Sequence, residues 1–142
     1  MQDQDFEHVD ADYSTDVNPH KGNRGLTRAR HAARNSWSGL VFAVREESAF
    51  RQELMLAAGL IPLALILPFG PIERQMLIGS VALVLIIEFV NSGVEAAIDR
   101  ISFDHHGLSK RAKDYGSAAV MLALLLCAMF WVTLTWQLLT KG

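Results

Sequence analysis

The 142-residue sequence has few of the residues and motifs from which the sites of soluble enzymes are usually built. Its one cysteine, Cys127, excludes an intramolecular disulfide and any multi-cysteine zinc or iron–sulfur site. It has no glycine-rich phosphate loop, no internal repeat and no long low-complexity run. Its distinctive features are the distribution of its charges and the length of its hydrophobic runs.

Charge is distributed unevenly along the chain. The first twenty residues carry six acidic side chains and no Lys or Arg, whereas the rest carries 13 basic residues against nine acidic ones. The formal net charge of −2 therefore combines an acidic tail with a basic body. Residues 1–23 lack hydrophobic periodicity and are predicted to be a disordered tail, and residues 24–142 to be the folded domain. The acidic start has no apolar core and is not expected to act as a cleaved signal peptide.

Three hydrophobic runs dominate the folded domain, and each approaches the length of about 20 apolar residues that crosses a bilayer core of roughly 30 Å. We predict three spanning helices, at about 50–69, 75–99 and 115–139. Pro62, Pro68 and Pro71 predict a bend and an early end of the first span. A soluble bundle of buried helices is the alternative, but 142 residues are too few to bury three such helices.

Basic residues flank the predicted spans mainly on one side. Seven lie before or at the start of the first span and four between the second and third, whereas the short turn between the first two spans holds only Arg74. The positive-inside rule therefore predicts that the N-terminus is cytoplasmic.

An amphipathic helix is predicted before the first span, at about 26–48. Trp37, Leu40, Val41 and Val44 follow the spacing i, i+3, i+4, i+7, and arginines occupy the other faces. Such a helix can lie on an anionic membrane surface, and a plain juxtamembrane anchor is the alternative. The expected fold is an all-α membrane protein with three transmembrane helices preceded by an interfacial helix.

Acidic residues inside the second span are the strongest functional signal. At about 100° per residue, Glu88, Asn91, Ser92, Glu95 and Asp99 fall on a stripe roughly 100° wide. A charged residue at such a depth costs at least about 2.5–3.5 kcal/mol, and it is therefore a candidate for function. The alternative is a structural role, in which Glu88 and Asn91 hydrogen-bond to a neighbouring helix.

The carboxylates allow two kinds of chemistry. Desolvation would suit the deeper Glu88 to act as a general base, and Glu95, nearer the cytoplasm, could bind a hard divalent cation. A third carboxylate could come from Glu46, Glu47 or Glu53. Such a group fits a magnesium-dependent phosphoryl transferase, and it equally fits a small proton-coupled transporter.

Four motifs stand out in the sequence: SW-GL at Ser36–Leu40, E-AFRQE at Glu47–Glu53, E-VNS-VEA--DRI at Glu88–Ile101 and RAKD-GSAAV at Arg111–Val120. In order and spacing they resemble the motifs of the small prokaryotic integral-membrane diacylglycerol kinases. The resemblance extends from Leu26 to Leu139.

The resemblance implies a function and an assembly. Proteins of this family are homotrimers of the bacterial inner membrane that transfer the γ-phosphate of ATP to diacylglycerol and form phosphatidic acid. Relatives that phosphorylate undecaprenol are the alternative within the family. The implied partners are ATP, diacylglycerol and further copies of the chain, with no nucleic acid, and the implied cofactor is Mg²⁺.

The resemblance also implies roles for individual residues. Glu88 is similar to the catalytic base, and Glu47 and Glu95 are similar to the metal-binding carboxylates. The implied ATP-binding residues are Arg28, Asn35, Glu47, Glu95, Asp104, His106, Lys113 and Asp114. The implied lipid-binding residues are Arg28, Phe50, Arg51, Gln52, Glu53, Glu88, Asn91 and Ser117. The family commonly has an aromatic residue at the position of Asn35.

Overall fold

The computed structural model of the chain describes residues 25–101 and 106–141. These residues form four α-helices and no strand. The helices are α1 (Leu26–Glu46), α2 (Ser48–Ile66), α3 (Pro71–Ile101) and α4 (Gly107–Lys141). By length and composition α2, α3 and α4 can each cross a membrane, so the predicted fold class is confirmed. The predicted tail and Asp104 lie outside the described residues.

The three helices that correspond to the predicted spans, α2, α3 and α4, differ from those spans in length. At 1.5 Å per residue, α2 is about 28 Å long, α3 about 46 Å and α4 about 52 Å. A bilayer core of about 30 Å therefore matches α2 and is exceeded by α3 and α4. The sequence prediction followed the hydrophobic runs, whereas the two longer helices continue through charged residues beyond them.

The first membrane helix ends early, as its prolines predict, and a few residues before the limit of the predicted span. Leu67 has an extended backbone, with φ −66° and ψ 147°, so α2 ends at Ile66 rather than near residue 69. Pro68 is the cause, because the helical conformation is disfavoured for a residue before proline. Pro62 lies inside α2, which continues for another turn.

The contacts divide the chain into two units, Met1–Ser36 and Trp37–Gly142. The described part of the first unit is the N-terminal portion of α1, which is exposed throughout. In the second unit, α3 packs against both α2 and α4 and is therefore the central helix. Two apolar clusters join the three helices: one surrounds Ala57, Val84 and Cys127, and the other Ala64, Leu77 and Leu134.

Arg74 closes the turn between α2 and α3. Its Nε donates to the carbonyl of Ala64 at 3.1 Å, and its Nη2 donates to the carbonyl of Phe69 at 3.3 Å. The Ala64 carbonyl would bond to the N–H of residue 68 in a continuing helix, but Pro68 has none. Arg74 therefore supplies the donor that Pro68 lacks, beside an alanine with no exposed surface.

We expect Arg74→Met to lower the stability of the folded protein. It leaves the Ala64 carbonyl without its donor, and an unsatisfied buried polar group costs about 1–3 kcal/mol. The measurement is the thermal unfolding midpoint in detergent micelles. The exposed neighbour Gln75 provides a control, since Gln75→Met introduces the same side chain and should leave the midpoint unchanged. Equal midpoints for the two variants would contradict the role of Arg74.

Candidate active site

One face of α3 is buried along most of the helix, and it changes from apolar to polar. Leu77, Val81 and Val84 form its apolar part. Glu88, Asn91 and Ser92 continue the same face with exposed fractions of only 5%, 8% and 9%. The intervening Phe89 and Val90 are exposed, as the helical spacing predicts.

Helix geometry gives the depth of these acids in a membrane. If Arg74 marks one edge of the hydrocarbon layer, Glu88 lies about 21 Å along α3, Glu95 about 32 Å and Asp99 about 38 Å. With a core of about 30 Å, Glu88 is about 9 Å inside the opposite edge, and Glu95 is close to that edge. The polar face thus extends from the hydrocarbon to the water, where a lipid group and a water-soluble reactant can meet.

Residues of α2 approach Glu88 and Phe89 from a second helix. Phe50 is buried, and its ring lies 6.1 Å from the ring of Phe89 at a tilt of 58°. Glu53 is 9% exposed, and it lies close enough to Glu88 for the two charges to interact. Its Oε2 has no hydrogen-bond partner among the described residues. The second half of α1 also approaches, because a Cβ at Gly39 would lie 3.1 Å from Cζ of Phe89.

Glu47 occupies the break between α1 and α2. It is the single non-helical residue between them, with φ −95° and ψ 112°, and its side chain makes no capping hydrogen bond. The charges of Glu95 and Glu47 both act on Glu88. The break therefore places the carboxylate of Glu47 within electrostatic range of the buried face of α3. Arg51 supports this break, since its Nη1 donates to the carbonyls of Arg45 at 2.9 Å and Val44 at 3.3 Å.

Two polar contacts organise the end of the α3 face nearest the water. Nδ2 of Asn91 donates to Oε1 of Glu95 at 3.1 Å. Nζ of Lys113, on α4, donates to Oδ1 of Asp99 at 2.6 Å. Both partners of this ion pair are more than a third exposed, so it contributes at most about 1 kcal/mol and chiefly orients the lysine.

The remaining described residues that were predicted to bind nucleotide or lipid have exposed side chains. Arg28 and Asn35 are exposed on the N-terminal unit, and Gln52 and Ser117 are exposed on α2 and α4. Asp114 pairs with Lys110 at 2.6 Å on the exposed side of α4. His106 precedes α4, where its Nδ1 accepts from the N–H of Leu108 at 3.2 Å and caps the helix.

The donor set can be compared with what a divalent cation requires. Within residues 25–101 and 106–141, no group of three or more His, Cys, Asp or Glu side chains forms a closed metal site. Glu47 and Glu95 approach Glu88 from two elements. Mg²⁺ usually takes only one or two protein carboxylates and completes its octahedron with phosphate oxygens and water. The residues present therefore fit a magnesium–nucleotide complex and not a protein cage.

The structure adds three residues that the sequence interpretation did not assign to the site. Asp99 was on the predicted stripe, but its pairing with Lys113 depends on how α3 meets α4. Phe89 contacts both Phe50 and the Gly39 position although it lies beside the stripe. Gly116 faces the side chain of Asn91. For Phe89 and Gly116 the only sequence signal was their presence in the recognised motifs, whereas Asp99 also had the helical spacing of the stripe.

Comparison with known proteins agrees with the motifs. The family described as prokaryotic diacylglycerol kinase matches residues 34–135. The diacylglycerol kinase of Pseudomonas aeruginosa is 44% identical over 116 residues, which cover 82% of this chain and 94% of that protein. The diacylglycerol kinase of Escherichia coli K12 is 46% identical over 113 residues, covering 80% and 93%. That of Helicobacter pylori J99 is 39% identical over 108 residues, covering 76% and 84%.

The matched region includes α2, α3, nearly all of α4 and the second half of α1, and hence Glu47, Glu88, Asn91 and Glu95. The resemblance first seen in four short motifs is confirmed, and this chain belongs to the prokaryotic diacylglycerol kinase family.

Proposed function

We propose that this protein is a diacylglycerol kinase, which transfers the γ-phosphate of ATP to the free hydroxyl of diacylglycerol and forms phosphatidic acid. The observation that carries the proposal is the buried Glu88 beside Glu95, on a face of α3 that runs from the hydrocarbon to its edge. Family membership supports the same reaction. A lipid alcohol approaches such a site from the membrane and ATP from the water.

Glu88 acts as the general base in this proposal. A carboxylate oxygen of Glu88 accepts the hydroxyl proton while the lipid oxygen attacks the γ-phosphorus and the bond to the leaving ADP oxygen breaks. Positioned general bases contribute about 10²–10⁴-fold to the rate. With only 5% of its surface exposed, Glu88 meets little water, which favours a lipid hydroxyl over water as the acceptor.

Glu47 and Glu95 are the residues that would hold Mg²⁺ with the phosphates of ATP. When bound, the ion neutralises charge on the phosphates during transfer. The two carboxylates come from different elements, the α1–α2 break and α3, so their separation depends on the packing of those elements. Asn91 restricts the rotation of Glu95 through its hydrogen bond.

Cationic and polar side chains near the water complete the proposed ATP site. Lys113 would contact the phosphates from its position beside Asp99. Family resemblance adds Arg28, Asn35, Asp104, His106 and Asp114 as nucleotide contacts. Because His106 caps α4 with Nδ1, its Nε2 is the atom available for a nucleotide.

Diacylglycerol is proposed to enter sideways from the leaflet. Phe50, which packs against Phe89, and Glu53, whose charge acts on Glu88, would border the lipid on the α2 side. Oε2 of Glu53 is buried without a partner among the described residues, so a lipid hydroxyl that reached it would satisfy it. Arg51, Gln52, Asn91 and Ser117 are the further lipid contacts implied by the family. The interfacial helix α1 has exposed apolar residues, among them Trp37 and Phe42, that suit it to deliver a membrane substrate.

The proposed setting is a homotrimer in the bacterial inner membrane, with the N-terminus in the cytoplasm. The predominance of basic residues before α2 and between α3 and α4 supports this orientation. Two helices of one chain border Glu88, and Asp114 and Ser117 are exposed, so a second subunit could complete the site.

Phosphoryl transfer from labelled Mg-ATP to lipid in mixed micelles tests the proposed function. We expect phosphatidic acid as the main product when diacylglycerol and undecaprenol are offered in parallel. A preference for undecaprenol would support the proposed phosphoryl transfer but would show that diacylglycerol is not the main substrate. No transfer to either lipid by folded protein, together with proton flux in liposomes, would instead favour the transporter.

We expect Glu88→Gln to reduce the transfer rate by at least about 10²-fold, because the amide cannot accept the hydroxyl proton. Oligomer size and thermal midpoint should remain those of the unaltered protein. The same substitution at Glu73, which accepts from the N–H of Gly70 in the α2–α3 turn, is the matched control and should retain activity. An active Glu88→Gln protein would refute the assignment of the base.

We expect Glu47→Gln and Glu95→Gln to raise the Mg²⁺ concentration needed for half-maximal activity, since each removes one negatively charged ligand. Titration of the transfer rate with Mg²⁺ at saturating ATP measures the effect. Glu46→Gln alters the adjacent exposed acid at the end of α1 and serves as the control. Metal dependence identical in all three variants would argue against a site at Glu47 and Glu95.

A further inference from the structure

Gly116 of α4 lies directly against the side chain of Asn91 on α3. A Cβ built on Gly116 would overlap the amide oxygen of Asn91 and lie 3.0 Å from its Cγ and 3.7 Å from its Cβ. Real Cβ atoms essentially never come within 3.0 Å of a heavy atom of another side chain, as this one would with the amide oxygen. The amide of Asn91 therefore occupies space that only a glycine leaves open.

The position of this amide bears on Glu95. Asn91 is 8% exposed, its Oδ1 has no partner among the described residues, and its Nδ2 donates to Oε1 of Glu95 at 3.1 Å. A side chain on Gly116 would have to push the amide aside. Because the donor and the displaced oxygen belong to the same rigid amide, the hydrogen bond to Glu95 would be disturbed.

We propose that Gly116 is a positioning residue for the active site: the absence of its side chain seats the Asn91 amide, and the amide in turn orients the Glu95 carboxylate toward a divalent cation. This inference rests on the proposed function, in which Glu95 is a metal ligand. Partners that orient a metal ligand typically affect metal affinity by 10–100-fold.

Helix propensity and steric overlap predict opposite effects of Gly116→Ala. Within a helix, alanine is favoured over glycine by about 1 kcal/mol, so a substitution without overlap would stabilise α4. A loss of function in Gly116→Ala would therefore not come from a weaker helix. Gly93, on α3, is the matched control, because a Cβ there has nothing within 4 Å in this chain.

A double-mutant cycle with Gly116→Ala and Asn91→Ala tests the proposal in the full chain. Two readouts are needed: the rate of phosphoryl transfer to diacylglycerol, and Mn²⁺ binding followed by electron paramagnetic resonance with a non-hydrolysable ATP analogue. We expect Gly116→Ala to weaken Mn²⁺ binding by about tenfold or more. In the Asn91→Ala background it should have no further effect, because the overlapping atoms are gone. Gly93→Ala should match the unaltered protein.

The outcomes separate this inference from the proposed function. An equal effect of Gly116→Ala in both backgrounds, or unchanged Mn²⁺ binding, would overturn the role of Gly116. If Gly116→Ala does not fold but the double variant does, the overlap with Asn91 is upheld, and failure of both to fold would refute it. Absence of transfer by the unaltered protein counts against the proposed function only, since Mn²⁺ binding still tests Gly116.

Discussion

Polar side chains that enter the hydrocarbon layer have to face protein, and the second membrane helix, α3, carries most of the buried polar side chains among the described residues. Glu88, Asn91 and Ser92 are among the most buried side chains of α3, whereas its apolar Val90 is more than half exposed. In lipid these polar groups are buried while an apolar residue of the same helix is exposed, because apolar groups lose nothing by facing acyl chains and polar groups lose several kcal/mol. The packing of α2 and α4 on α3 follows from the need to cover this face.

The same constraint applies to the backbone where the helices end. Arg51, near the start of α2, donates to the last carbonyls of α1, and Arg74, near the start of α3, donates to a carbonyl at the end of α2. In both cases an arginine from the following helix satisfies carbonyls that the preceding helix leaves open. Arginine suits this task because its planar guanidinium can donate to two oxygens at once and keeps its charge. Both connections, between α1 and α2 and between α2 and α3, are therefore stabilised by specific arginine hydrogen bonds.

The fold and the polar face could be predicted from sequence because both depend on local spacing. Uninterrupted apolar runs identify the spans, and the rotation of about 100° per residue brings Glu88, Asn91 and Glu95 to one side. Contacts between helices could not be predicted in this way. The pairing of Lys113 with Asp99 and the seating of Asn91 against Gly116 depend on the register of α4 along α3, which no periodicity within one helix determines.

Some features had a local signal and still differed from the prediction. Pro71 at the first position of α3 and Pro68 after the end of α2 are ordinary marks of helix boundaries, and they predicted an early end of the first span. The limits of the predicted spans nevertheless followed the hydrophobic runs and lay a few residues from these ends. α4 begins at Gly107, well before its apolar run, and the i, i+4 pair of Lys110 and Asp114 lies in this charged first part. His106 shows a further limit, because capping α4 and contacting a nucleotide both favour a polar residue there.

Glu47 has a structural role and a proposed chemical role at the break between α1 and α2. Its backbone sets the angle between α1 and α2, and its carboxylate is the proposed ligand for the cation that accompanies ATP. Thermodynamic linkage makes such a coupling reciprocal: if a bound cation favours one hinge angle, that angle favours the cation to the same extent. Under that condition, a membrane surface that holds α1 at the favoured angle would act as an effector of nucleotide binding, and Arg51 donates its hydrogen bonds at the same break.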